Sequence, residues 1–527
     1  MGPRELNGHF EHRVKSRITL GSILLFLLSV TGLGFVFFVF ILNLPENSST
    51  KAYSEMSIQW VWEQGEDAFF TLFPDSEVES EDEANQIETS GVQSLPDSDP
   101  EPSVLEESTA WPFSLDLDLS FSFFENQSPL VDPNPVPRLQ ALNDPLDRVS
   151  DEFEIPKELY DRTRFWFDVY TKHDSNVHVI HHTRYPWVVF KIIDTKEMVA
   201  AGKGPLWLRR DRALKFVSRE KVKIIRELRR LARRKNFKRL KGLQLELYTI
   251  LNQVPGGRRQ VIKFASRNVR SQLGQKDFFV SGLKSSGEYL PHMERIFIEQ
   301  GLPVELTRMP FVESSFNVKA ESKVGASGIW QIMPRTGRAY LKVSPHIDER
   351  NSPLKATKAA ARILRRYNRA LKSWPLAVTG YNHGIGGVLK AKRRARSSDL
   401  STIIRRYHRG SFRFASANFY TCFLAALYAE KYNDKIFLGT PREKALEHKV
   451  VRLTSGLRLK QVLKSTGLDK QTLLKYNLDL VHSPHRNPWL PKGYELHLPA
   501  DVGDSVVNKL GKADDHPQTI KKSKKQV

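Results

Sequence analysis

Between Ile18 and Leu44 the chain is apolar apart from a few Ser, Thr and Gly residues and Asn43 near the end. A run of this kind cannot be left in water, and it exceeds the roughly 20 residues a helix needs to cross a hydrocarbon core. A cleaved leader would carry an apolar stretch of only about 7–15 residues and a small-residue cleavage site. Here the run is longer, and Leu42-Asn43-Leu44-Pro45 makes a poor site. The expectation is therefore a retained single-pass transmembrane anchor over residues 18–44. Arg13, Lys15 and Arg17 precede it while only Lys51 follows nearby. The positive-inside rule then keeps residues 1–17 in the cytoplasm and sends everything after Glu46 across the inner membrane.

Charge is segregated along the chain. The formal net charge is +22, yet no Lys or Arg occurs between Lys51 and Arg138, where acids crowd. The excess of cations lies after Arg138 and suits an anionic polymer, whether nucleic acid, acidic lipid or a carboxylate-bearing wall. Export of that part leaves a nucleic-acid partner least favoured. Cys422 is the single cysteine, which excludes an intrachain disulfide and a multi-cysteine metal site. Its apolar neighbours place it as a packing residue in a buried helix.

Composition divides the rest. Residues 46–137 are acidic and rich in Ser and Pro, which predicts an extended, disordered linker. Its clusters Trp60, Trp62, Phe69 and Phe70, and Phe121, Phe123 and Phe124, read either as docking points or as plain linker residues. Residues 150–285 read as a basic, mostly helical domain of unknown role. Within it, 212–241 has Leu214, Val217, Ile224, Leu228 and Leu231 at helical spacing. Arg229, Arg230, Arg233, Arg234 and Lys235 fall on the wet side, either as a solvated face or as a contact for wall polymer or lipid head groups. His178, His181 and His182 with Asp174 match no metal-ligand pattern and read as ordinary strand or loop histidines. Residues 286–435 predict a compact helical domain. Pro353 starts one helix behind Asn351-Ser352. Trp374, Ala377, Val378 and Tyr381 share the face of the next helix, which Gly384 closes. Phe414 to Tyr432 is a further apolar helix, and residues 511–527 form a basic tail.

Three stretches carry the chemistry. Met309-Pro310-Phe311-Val312-Glu313-Ser314-Ser315 sets a carboxyl group among apolar residues. Such a setting disfavours the ionised form and raises the pKa, as a proton donor working near neutral pH requires. Taken alone, Glu313 could equally be a helix-end residue bonded to backbone. In Gly325-Ala326-Ser327-Gly328-Ile329-Trp330-Gln331-Ile332-Met333-Pro334 the small residues let the chain turn tightly. Trp330 is expected inward, and Gln331 offers a donor and an acceptor to an N-acetyl sugar. Gly380-Tyr381-Asn382-His383-Gly384-Ile385-Gly386-Gly387 has its glycines after a helix, so it is no dinucleotide loop.

In this order and spacing the three stretches resemble the family 23 lytic transglycosylases of goose-type lysozyme-like fold, most of all the membrane-bound lytic murein transglycosylase D group. The family's Glu-Ser, Gly-Leu-Trp-Gln-like and Tyr-Asn-x-Gly patterns fall on Glu313-Ser314, Gly328-Ile329-Trp330-Gln331 and Tyr381-Asn382-His383-Gly384. The resemblance implies Glu313 as catalytic acid and base, with Ser314, Gln331, Met333, Tyr381, Asn382 and Tyr420 as substrate-binding residues. It implies peptidoglycan glycan strands as the partner in the periplasm, and neither metal nor cofactor. Two departures stand out. His383 replaces a small residue, and Ser416-Ala417-Asn418-Phe419-Tyr420 replaces Glu-Thr-Arg-x-Tyr and keeps only Tyr420, so a supporting carboxylate is lost. The anchor also stands where many of this group carry a lipid.

Residues 446–500 suggest strand, two helices, strand and resemble a degenerate LysM module, whose kind binds N-acetylglucosamine chains. A packing appendage is the alternative. The expected fold is thus mainly α: a lysozyme-like helical catalytic domain, a helical basic domain before it and a small LysM-like α/β module after it. A hydrolysing muramidase on the same fold would need a second carboxylate, which is not evident, and a non-catalytic wall-binding protein remains the reading from another class.

Overall fold

The structure, a computed structural model, describes residues 136–407, 412–481 and 487–513. The anchor over 18–44, the linker up to residue 135 and the tail beyond residue 513 lie outside the described residues. Among the described residues no helix is long and apolar enough to cross a membrane, and no group of His, Cys, Asp and Glu is arranged to hold a metal ion.

The first long helix, α1 (Tyr160–Thr171), buries Phe165, Trp166, Phe167, Val169 and Tyr170. A three-stranded antiparallel sheet follows, built from β1 (Val177–His182), β2 (Val189–Asp194) and later β3 (Val269–Leu273), in the order β2-β1-β3. Between β2 and β3 run α2 (Lys196–Ala201), α3 (Leu206–Arg233), α4 (Gly242–Ile250) and α5 (Arg258–Ala265). The basic helix thus begins and ends earlier than its sequence pattern suggested. After Arg233 the Asn236 side chain accepts from the Lys238 N–H, an Asx turn that competes with helix. Along α3, Ala213, Val217, Ile224, Leu228 and Leu231 face inward. Val217, Ile224, Leu228 and Leu231 form a core of their own with Ile180, Val188 and Phe190 of the sheet region.

The segment 150–285 holds a small sheet beside its helices and is not one packing unit. Its beginning, from Phe153 through α1 to Val179, packs into the larger core together with Ala141, Leu142 and residues 279–437. Pattern alone marks a buried face; it does not name the element that covers it. His178, His181 and His182 are buried in β1, and burial pushes the His181 and His182 pKa values down to about 3 and about 4.

The helical domain proper comprises α6 (Lys276–Glu299), α7 (Met309–Glu313), α8 (Pro334–Arg338), α9 (Pro353–Leu371), α10 (Trp374–His383), α11 (Ile385–Ala395), α12 (Leu400–Arg406), α13 (Phe414–Lys431) and α14 (Asn433–Ile436). Pro353 is the first residue of α9 as expected, though the Ser352 side chain makes no cap bond. In α10 the Ser373 side chain does cap, accepting from the Leu376 N–H. Helix α13 is buried nearly throughout, Cys422 included. Near its end, Glu430 accepts from Arg308 Nε at 2.7 Å and from Arg442 at 2.6 Å, and Arg308 also bonds Glu294. Burial acts to raise the Glu430 pKa, but the two guanidinium groups outweigh it and hold the carboxyl well below the usual range.

After residue 446 come β4 (His448–Leu453), β5 (Leu457–Arg458), α15 (Leu459–Thr466), α16 (Lys470–Tyr476), β6 (Trp489–Leu490), β7 (Glu495–Pro499), α17 (Asp504–Leu510) and β8 (Gly511–Ala513). The order strand, two helices, strand read from the sequence is present, with β4 paired antiparallel to β7. The first residues of the basic tail, Gly511–Ala513, pair with β4. This module is fastened to α9: Lys355 reaches Asp479 at 2.7 Å, and the Tyr494 hydroxyl donates to the same carboxylate at 2.8 Å.

Candidate active site

Glu313 is the last residue of α7, a helix of five residues whose other members, Met309 to Val312, are all buried. The chain then turns hard. Ser315 and Phe316 take φ of 50° and 56°, left-handed values that cost side-chain-bearing residues energy, and more so a bulky ring. Two contacts hold the turn. The Phe316 N–H donates to the Pro310 carbonyl at 3.1 Å. The Ser315 carbonyl lies so close to Gly282 of α6 that a Cβ there would stand 2.6 Å away. Beneath runs a column of rings: Tyr170 on Phe279 at 5.5 Å, Phe279 on Phe311 at 4.8 Å, and Phe311 against Phe316 at 4.6 Å.

This packing decides the acidity. Glu313 keeps some accessible surface as a residue, yet its carboxyl group is enclosed enough for burial alone to push the pKa up to about 8. Among the described residues no cation or hydrogen-bond donor compensates. A carboxyl group in that state is protonated at neutral pH and can give its proton to a leaving oxygen.

The second stretch is pinned beside it. Gly328, at φ 73°, passes so close to Arg350 that a Cβ would meet the Arg350 carbonyl at 2.0 Å. Ser327 donates to Asn351 Oδ1 at 2.6 Å, and Arg350 donates to the Ile332 carbonyl at 3.0 Å. Trp330 is buried as expected, stacked on Phe297 at 6.0 Å and donating to Thr357 Oγ1 at 2.8 Å. Gln331 has a left-handed φ of 45°. Its amide nitrogen donates to the Gly328 and Ala320 carbonyls at 2.8 and 3.1 Å. Two carbonyl acceptors fix which end of the amide is nitrogen, so only the oxygen remains to meet a ligand. Half-buried Met333 precedes α8 as its cap residue.

The third stretch brings Tyr381 to the same place. Its hydroxyl donates to the Trp330 carbonyl at 2.9 Å, and its ring lies 6.2 Å from Trp330. Burial raises its pKa first and the Glu313 charge second, so it stays a phenol beside the carboxyl group. Asn382 and His383 complete the last turn of α10, both half-buried.

Two further residues expected at the sugar are buried. Ser314 is buried, and its hydroxyl donates to the Ile329 carbonyl at 2.9 Å; it braces α7 against the second stretch. Tyr420 is 2% exposed within α13. Burial raises its pKa, and the neighbours that add to the effect are Tyr428 and Glu152 rather than Glu313. Tyr170 was not foreseen. Its pKa is raised by burial, by a hydrogen bond to Cys422 and by the Glu313 charge. Lying far upstream in α1, it carries no local motif that could have marked it.

Comparison with known proteins follows this geometry. Residues 298–404 match the family described as Transglycosylase SLT domain. Over 108 residues the chain is 41% identical to the "Membrane-bound lytic murein transglycosylase D" of Escherichia coli (strain K12), which covers 19% of this chain and 24% of that protein. The match to the protein of the same name in Escherichia coli O6:H1 has the same figures. A "Putative tributyltin chloride resistance protein" of Alteromonas sp. (strain M-1) is 33% identical over 105 residues, 20% of this chain and 51% of that protein. The chain thus spans about a quarter of the length of the first two relatives and about half of the third. The likeness to the transglycosylase SLT domain is thus confined to residues 298–404, and the mainly α, lysozyme-like class expected from the motifs holds.

Proposed function

We propose that the chain is a lytic transglycosylase that cleaves the β-1,4 bond between N-acetylmuramic acid and N-acetylglucosamine in peptidoglycan and leaves 1,6-anhydromuramic acid ends. The observation that carries the reading is Glu313: one enclosed carboxyl group whose pKa burial lifts to about 8, inside the SLT domain. Protonated Glu313 donates to the glycosidic oxygen as the bond breaks. The muramic acid's acetamido group stabilises the cationic carbon, the substrate-assisted variant of glycoside cleavage. Glu313, now ionised, takes the proton of the C6 hydroxyl as that oxygen closes on C1. No water is consumed, so one carboxylate suffices for both proton transfers.

The hydroxyl of Tyr381 donates a hydrogen bond to the Trp330 carbonyl and keeps its oxygen lone pairs for a ligand donor, while the free amide oxygen of Gln331 accepts from an N-acetyl group. Asn382 and Met333 stand as further sugar contacts on the family's pattern. Ser314 and Tyr420 serve better as braces, given their burial. We assign the anchor at residues 18–44 to the inner membrane, with the catalytic part in the periplasm, in keeping with the name of the Escherichia coli relative. The module from β4 to β8 is assigned a LysM-like role on glycan chains.

Digestion of purified peptidoglycan by the detergent-solubilised chain, read by mass spectrometry, tests the reaction. Anhydromuramic ends that vanish with Glu313→Gln are expected. Reducing ends carrying added water would make the protein a muramidase, and tight sedimentation without cutting would make it a binding protein.

A further inference from the structure

Two of the positions at which the chain departs from the pattern it resembles, His383 and Ser416, lie in different helices and touch each other. Ser416 sits in the first turn of α13 at 2% exposure. Its Oγ lies 2.9 Å from His383 Nδ1 and 3.5 Å from Asn382 Oδ1. A hydroxyl both donates and accepts, so the contact to the imidazole persists in either ring tautomer. Two further features confine the ring. Phe412 meets it edge to face at 5.1 Å. On the other side is Gly387, where a Cβ would lie 2.5 Å from His383 Cδ2 and Nε2. The imidazole is thus seated by a hydroxyl, an aromatic ring and a missing side chain. It belongs to the turn that presents Tyr381 to Trp330 and Glu313, and α10 ends directly after it at Gly384.

We propose that His383 and Ser416 form a positioning pair that ties the last turn of α10 to α13 and thereby fixes Tyr381 and Asn382 against the Glu313 carboxyl group. The pair takes over at the point where the family pattern would place a carboxylate on α13. This proposal rests on the transglycosylase reading above. It assigns neither residue a contact with the reacting atoms; both act through Tyr381 and Asn382, so their loss is felt in turnover more than in binding.

The test is a double-mutant cycle on the full chain with peptidoglycan as substrate. His383→Ala and Ser416→Ala should each lower kcat roughly tenfold, a loss typical of a slightly misplaced active-site group, with KM within about twofold. The double variant should be no slower than the worse single one, because both substitutions remove the same contact. His383→Asn should restore most of the rate, since its amide can reach the place of Nδ1, whereas His383→Gln should not. A double variant slowed by the product of the two losses overturns the proposal. So does a loss confined to KM, or rescue by Gln alone, which would make Nε2 a direct ligand contact. Near-ultraviolet circular dichroism of the same proteins reads the packing of Tyr381 on Trp330 without turnover. The two single variants and the double variant should change it alike, and unchanged spectra overturn the proposal. A wild-type chain that leaves peptidoglycan uncut sinks the transglycosylase reading and leaves the spectra to judge the pair.

Discussion

Two glutamates enclosed in the same helical domain behave in opposite ways. Glu430, near the end of α13, is gripped by Arg308 and Arg442, which hold its pKa far down against the pull of burial. Glu313, at the end of α7, has the burial without the cations, and its pKa rises to about 8. Arg308 stands only just before α7 in the chain, yet it is committed to Glu430 and Glu294 on the other side. The difference teaches how one domain makes a structural anion and a proton donor from the same side chain. Guanidinium groups are supplied to one carboxyl group and kept from the other.

Exchanging either glutamate for its amide should pull the two roles apart. Glu313→Gln removes the proton carrier and should lower kcat by about 10² to 10⁴-fold, with little or no loss of stability in urea unfolding. A variant that unfolds early instead would show Glu313 to be structural. Glu430→Gln should do the reverse, costing about 3 kcal/mol of stability by leaving buried guanidinium charge undercompensated, with a much smaller effect on turnover per folded molecule. Its unfolding midpoint against that of the wild type measures this.

Acidity gives a finer comparison, because the two groups tilt the stability curve in opposite directions. Glu313 is protonated when folded but ionised when unfolded between an unfolded pKa of about 4.3 and about 8. Its contribution is complete below the unfolded value and is lost as pH rises through that window, at up to about 1.4 kcal/mol per pH unit. Glu430 works between about 2 and about 4.3, and its contribution is lost as pH falls. Unfolding free energies of Glu313→Gln and wild type across pH 5 to 8 should therefore converge toward the acid end. In the same frame kcat/KM should fall as pH rises past about 8, and a rate that stays level to pH 9 would contradict Glu313 as the acid. The smallest effect belongs to Tyr381→Phe. It removes one hydrogen bond to the Trp330 carbonyl, worth about 1 kcal/mol, and should slow turnover about fivefold without shifting the pH profile.

Much of this was legible in the sequence, for a physical reason. The candidate site is built from short segments whose local chemistry is distinctive: an apolar run ending in a carboxyl group, a small-residue turn before Trp330, a helix closed by glycine. The structure brings Glu313, Trp330 and Tyr381 together. What could not be read was which distant surface covers each face. Tyr170 comes from α1 and joins the Glu313 neighbourhood only through the packing of α1 in the main core. The sheet inside the basic segment was harder to read because its first strand, Val177–His182, is buried along its whole length and shows no alternation between core and solvent. Ser314 and Tyr420 stood where the family pattern marks a site, but the pattern does not say whether a side chain turns to the ligand or to the core. Likewise the apparent loss of a carboxylate at Ser416 acquires meaning only beside His383.

The left-handed turn at Ser315 and Phe316 has a consequence for how such a protein can change over time. Helix α7 stops at Glu313 because the next residues are forced into a conformation that glycine would adopt more cheaply. Ser315→Gly would relieve that cost and toughen the fold while loosening the stop. The strained turn thus fixes where the Glu313 carboxyl group stands at some cost in stability.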